Sequence, residues 1–201
     1  MPKFLSPKQG AMRLRIACAA ARIMAEDGVE DFAMAKRRAA RQLGAPATES
    51  LPTNDEVEAE LLAYRSLYQG DEHRDRMLHL NQVALQLMRL LAEFRPYLTG
   101  AVLKGTAGRF ASVDIELYAD SDKAVQMFLM REGIPFDADL LRSGDGEQLV
   151  PVLKFERDEV PIRLIVLDPH DERQVRRNNH TGRSHERLSL DGFAARLALG
   201  G

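Results

Sequence analysis

The chain has 201 residues, of which 45% are hydrophobic and 29% charged, with a formal net charge of −2. That is the balance of an ordinary globular protein, long enough for one sizeable core and an appendage. No apolar run approaches the roughly 18 residues of a membrane-spanning helix, and the single cysteine, Cys18, excludes an intrachain disulfide framework and a multi-cysteine zinc site.

The amino-terminal stretch alternates Ala-rich segments with Arg13, Arg15 and Arg22 and runs on into Glu26 and Asp27. It reads as a helix over 11–27 rather than a signal sequence, and the expected location is the cytoplasm. A second helix is predicted over 31–43, closed by Gly44, Ala45 and Pro46. Thr53-Asn54-Asp55-Glu56 has the pattern of a capping box and starts a third helix, expected to end near Gln69. Met77, Leu80, Ala84, Leu87 and Leu91 mark a fourth helix over about 72–94.

The period then changes. Val113, Ile115 and Leu117 alternate with Ser112, Asp114 and Glu116, the pattern of a strand with one face buried and a polar face presented. A helix is predicted from Ser121 to Glu132. LVPVLKF (149–155) and IRLIVL (162–167) read as a hairpin around ERDEVP, and a short last helix is expected near 189–199. The expected fold is therefore α+β: a small mixed sheet of about four strands with helices, preceded by an all-helical amino-terminal region. The expected divisions are a helical region over 1–70, a core over 71–168 and a polar tail over 169–201.

Charge is unevenly spread. Residues 1–50 carry nine Lys/Arg against five Asp/Glu, whereas residues 101–168 carry eight against thirteen. An acidic centre between basic ends suits a metal site flanked by phosphate-attracting arms. The candidate centre is YLTGAVLKGTAGRFASVDIELYAD, residues 97–120. Acids at positions i and i+2 of a strand project to one side, so Asp114 and Glu116 can share a dication. Magnesium takes such oxygen ligands. Glycines at 100 and 105 allow backbone to approach phosphate oxygens. The phrase KGTAGR is not a Walker loop, because the order and spacing of Gly, Lys and Ser/Thr are missing.

This segment resembles the nucleotidyltransferase superfamily that includes DNA polymerase β and the minimal nucleotidyltransferases. Their pattern is hydrophobic-Gly-Ser, a short helix, then Ser-Asp-x-Asp on a strand. Leu98-Thr99-Gly100-Ala101 stands for the first part and Gly105 for a second glycine. The closer likeness is to small bacterial members that pair a helical prefix with a core reading roughly LTGxVLxGTAGRxSDIDL, and it covers about residues 12 to 168. The resemblance implies transfer of a nucleoside monophosphate from a nucleoside triphosphate to an acceptor, with two Mg or Mn ions. Asp114 and Glu116 would be the catalytic metal ligands, and Gly100, Ala101, Lys104, Gly105, Arg109 and Ser112 would hold the nucleotide.

Two departures bear on activity. Ala101 replaces the usual serine, and an ungapped alignment puts Ser112 where the first metal carboxylate belongs, with Asp114 as the second. A slip of two residues restores the pair as Asp114 and Glu116; both registers contain Asp114. A third acid is usual on a later strand, where this chain has Arg163, with Asp168, Glu156 and Asp158 as substitutes. The alternative is thus a catalytically degenerate fold that binds nucleotide, nucleic acid or a protein. A purely helical interaction protein is a further reading. Lys36, Arg37, Arg38 and Arg41 form a basic face suited to nucleic acid phosphates. A second basic cluster comprises Arg173, Arg176, Arg177, Arg183 and Arg187. The histidines show no metal-ligand spacing.

Overall fold

A computed structural model of the chain describes residues 7–29, 31–45, 51–68, 70–142, 149–173 and 186–199. It divides into two compact units, Met1–Asp75 and Arg76–Gly201. The protein is α+β, as expected from the change of period along the chain. Among the described residues no helix is long and apolar enough to cross a membrane.

The first unit contains α1 (Pro7–Asp27), α2 (Phe32–Gln42) and α3 (Asn54–Tyr68). Its core is made from small and branched side chains at helical spacing: Ile16, Ala17, Ala20, Ala21 and Met24 on α1, Ala35 and Ala39 on α2, and Val57 and Leu61 on α3. Removing a side chain the size of Leu61 from water contributes about 1.5–3 kcal/mol. Asp31 caps α2 by accepting from the backbone N–H groups of Ala33 and Met34. The capping box at α3 forms as predicted: the Thr53 N–H donates to Glu56 at 2.6 Å and the Glu56 N–H to Thr53 Oγ1 at 3.2 Å. Arg13 ties this cap to α1, with its Nε 2.9 Å from Glu56 Oε1. The guanidinium of Arg13 holds the Glu56 carboxyl below its ordinary range.

α4 (Gly70–Leu90) leads into the second unit, followed by a short 3-10 turn at Ala92–Phe94. The sheet has six strands rather than about four: β1 (Tyr97–Thr99), β2 (Val113–Tyr118), β3 (Asp137–Arg142), β4 (Leu149–Arg157), β5 (Val160–Leu167) and β6 (Leu188–Ser189). Their order is β3-β4-β5-β2-β1-β6, with β2 and β5 parallel and the other neighbours antiparallel. The helices of this unit are α4, α5 (Gly100–Lys104), α6 (Asp122–Arg131, capped by Ser121) and α7 (Leu190–Ala198).

The predicted hairpin is β4–β5. Its turn residues Asp158 and Glu159 both have positive φ, 51° and 62°, the geometry of a tight two-residue connection. His79 on α4 meets the Asp158 carbonyl at 3.0 Å. One face of the sheet (Leu98, Val113, Ile115, Leu117, Ile162, Leu164) shares a core with Leu87 and Met88 of α4, Leu129 of α6 and Phe193 of α7. The tail is not wholly apart from this core: β6 pairs with β1 and Phe193 is buried. The stretch 174–185, with Arg176, Arg177, Arg183, His180 and His185, lies outside the described residues.

Candidate functional site

The alternation in β2 sorts its side chains onto two faces as the sequence suggested, but the polar face is covered rather than presented: Glu116 and Tyr118 are both buried. Val113, Ile115 and Leu117 enter the core, so Asp114, Glu116 and Tyr118 share the opposite face. Register brings other polar residues beside them. Thr99 on β1 and Arg163 on β5 lie directly opposite Asp114, and Lys154 on β4 lies opposite Arg163. In the next row, Tyr97 and Ile165 flank Glu116.

Asp114 is gripped on both carboxylate oxygens. Arg163 Nε donates to Oδ1 at 2.8 Å and Nη2 to Oδ2 at 2.7 Å, the bidentate fork that matches guanidinium to carboxylate. Ser112 Oγ donates to the same Oδ1 at 2.7 Å. Gly100 closes the other side. Its φ is +73°, and a Cβ built there would lie 2.8 Å from Asp114 Oδ2. The glycine is therefore required twice, by its backbone conformation and by the approach of a carboxylate.

Glu116 is 3% exposed. Tyr118 donates its hydroxyl to Glu116 Oε2 at 3.0 Å, and Arg187 Nη1 is 3.7 Å from the same oxygen. Arg187 also donates to the Tyr118 hydroxyl and the Glu172 carbonyl. Its guanidinium carbon lies 4.8 Å from the Tyr97 ring centroid and 5.3 Å from that of Tyr118. These contacts offset the desolvation of a buried charge. Glu172 accepts from Tyr97 at 3.0 Å and pairs with Arg95 at 2.5 Å. Burial and Glu172 raise the Tyr97 hydroxyl above its ordinary pKa.

The predicted metal pair thus lies on one face, but the donor set does not fit a dication. Asp114 has both oxygens in an arginine fork, Glu116 is enclosed with a tyrosine and an arginine, and Ser112 is neutral. The position expected for a third acid holds Arg163 itself. Among the described residues, no group of three or more His, Cys, Asp or Glu could hold a metal ion. Asp168, read as a substitute acid, accepts from the His170 N–H at the end of β5, and Glu156 and Asp158 belong to the hairpin.

The predicted nucleotide-binding residues divide in two. Gly105 (φ +73°) ends α5: its N–H reaches the Val102 carbonyl and that of Thr106 the Ala101 carbonyl. These N–H groups satisfy the helix end instead of facing a phosphate. Ala101 is half-buried in the first turn of α5, and Lys104 is exposed at its last residue. Arg109 is exposed in a turn over Gly108–Ala111, closed by a bond from the Ala111 N–H to the Gly108 carbonyl.

The basic face of α2 is smaller than predicted. Lys36 donates to the Pro52 carbonyl and to Asn54 Oδ1 at 2.8 Å, and burial lowers its pKa. Arg38 pairs with Asp27 at 2.7 Å. Arg37 and Arg41 are exposed.

Sequence reasoning missed Tyr118, and placed Arg187 in a basic cluster of the tail rather than beside Glu116. Tyr118 continues the parity of Asp114 and Glu116, so it was within reach of the same pattern. Arg187 lies 71 residues from Glu116 along the chain, and no local spacing signals such a partner. Compared with known proteins, the chain matches no family model, no curated protein and no solved structure.

Proposed function

We propose that the protein is a nucleotidyltransferase-like binding module: it takes a nucleoside triphosphate without the metal-dependent transfer that an intact carboxylate pair would support. The observation that carries this reading is the bidentate hold of Arg163 on both oxygens of Asp114. A dication would have to displace that guanidinium and then compete with it for the same oxygens. The positive charge that magnesium would supply is here covalently part of the chain. Arg163 is 40% exposed at its side chain, so this charge borders solvent. Lys104 and Arg109 are the exposed cations nearest in sequence to Gly100 and Ser112, and both suit phosphate oxygens, Arg109 with fork geometry.

Calorimetric titration with nucleoside triphosphate, with and without Mg, tests the reading. Binding of equal strength in both conditions is expected. The contrary outcome is binding that strictly requires Mg, together with labelling of an acceptor in cell extract that Asp114→Ala abolishes. That outcome would return the chain to the transferases and assign Asp114 a catalytic role.

A further inference from the structure

Six of the seven described phenylalanines are buried or half-buried; Phe110 alone is exposed, at 68%. The backbone that carries it is well tethered. Thr106, Ala107 and Ala111 are buried on either side, and the Ala111 N–H closes the turn onto the Gly108 carbonyl at 3.3 Å. Arg76 of α4 donates to the Arg109 carbonyl at 2.9 Å. The turn thus has a buried base and a tip made of Arg109 and Phe110, with the Arg109 guanidinium 5.7 Å from the phenyl centroid.

We infer that Phe110 is the platform on which the base of a bound nucleoside phosphate stacks, with Arg109 beside it to meet the phosphate charge. This rests on the nucleotide-binding reading above and adds to it the part of the ligand that the carboxylate face does not address. An exposed phenyl on a tethered turn offers a π-face with little further loss of backbone freedom on binding. A neighbouring guanidinium supplies charge complementarity to the anionic end of the same ligand. Stacking accepts any base, so affinity should follow base size, purine above pyrimidine.

The test compares ATP, CTP and inorganic triphosphate on the full chain, on Phe110→Ala and on Phe110→Trp. Because Phe110 is largely exposed and the chain has no tryptophan, the first change should leave folding intact and the second introduces a single reporter. The wild type should bind ATP about ten-fold more tightly than inorganic triphosphate. Phe110→Ala should lose that advantage and leave triphosphate binding unchanged; Phe110→Trp should keep it, with fluorescence quenched by ATP. ATP affinity unmoved by Phe110→Ala overturns the stacking role, as does equal binding of ATP and triphosphate by the wild type. If neither ligand binds, the nucleotide reading falls and this inference with it. Selective recovery of a protein partner by wild type but not by Phe110→Ala, without ATP binding, would assign the turn to protein contact instead.

Discussion

On one side of β2, Val113, Ile115 and Leu117 are sealed among helices; on the other, Asp114, Glu116 and Tyr118 lie among arginines and tyrosines. The two faces use different physics to bury the same strand. The apolar face needs only bulk and shape, and its partners are interchangeable in kind. The polar face needs each charge matched by a specific opposite group, because an unmatched buried carboxylate costs several kcal/mol. A strand that looks ready to receive metal from its own sequence can therefore be satisfied by cations brought from 49 and 71 residues away.

The polar face is most vulnerable at Glu116. Arg187→Ala removes its cation and should destabilise the second unit by about 3–5 kcal/mol. The paired change Glu116→Leu with Arg187→Met should recover most of that loss. Urea denaturation of the variants reads both effects; a paired change as damaging as Arg187→Ala alone would show that packing on the tyrosines, not charge, dominates.

A smaller effect is expected at the half-exposed end of the same face. Gly100→Ala combines a positive φ with a contact to Asp114 Oδ2 and should cost about 1–3 kcal/mol. Repeating it in an Asp114→Ala background separates the two causes. The cost should fall to the backbone part alone, and an unchanged cost would mean that the carboxylate gives way freely.

How much of this was open to sequence reasoning follows from which interactions are local. α1 to α4 announce themselves by helical period, and the Thr53–Glu56 cap, with partners three residues apart, forms as predicted. β3 was missed because DADLLR lies at the sheet edge with its described side chains exposed, so burial imposes no alternation. β6 has only two residues and becomes a strand solely by pairing with β1. At the site, Asp114 and Glu116 were placed on the correct face, but parity says nothing of what lies over them. Arg163 was noticed as the residue in place of an acid, yet its fork onto Asp114 exists only because β2 and β5 pair in parallel at that register.

The smallest effect concerns the first unit. The Glu56 pKa is lowered in the folded chain, so its contribution is present above the unfolded carboxylate pKa and is lost as pH falls through the folded value. The pair is partly exposed, with Glu56 at 44%, so screening limits the effect to below about 1 kcal/mol. Arg13→Ala should flatten the acid limb of the stability profile measured by thermal melting. An unchanged limb would show that Arg13 does not control that titration.

Arginine rather than a dication neutralises Asp114, and titration of Mn²⁺ followed by electron paramagnetic resonance tests this most directly. Wild type and Asp114→Asn should show the same weak, non-saturating uptake, while Ser112→Asp with Arg163→Asp, which exchanges the guanidinium for carboxylates, should gain a saturable site. A saturable Mn²⁺ site in the wild type that disappears in Asp114→Asn would contradict the account.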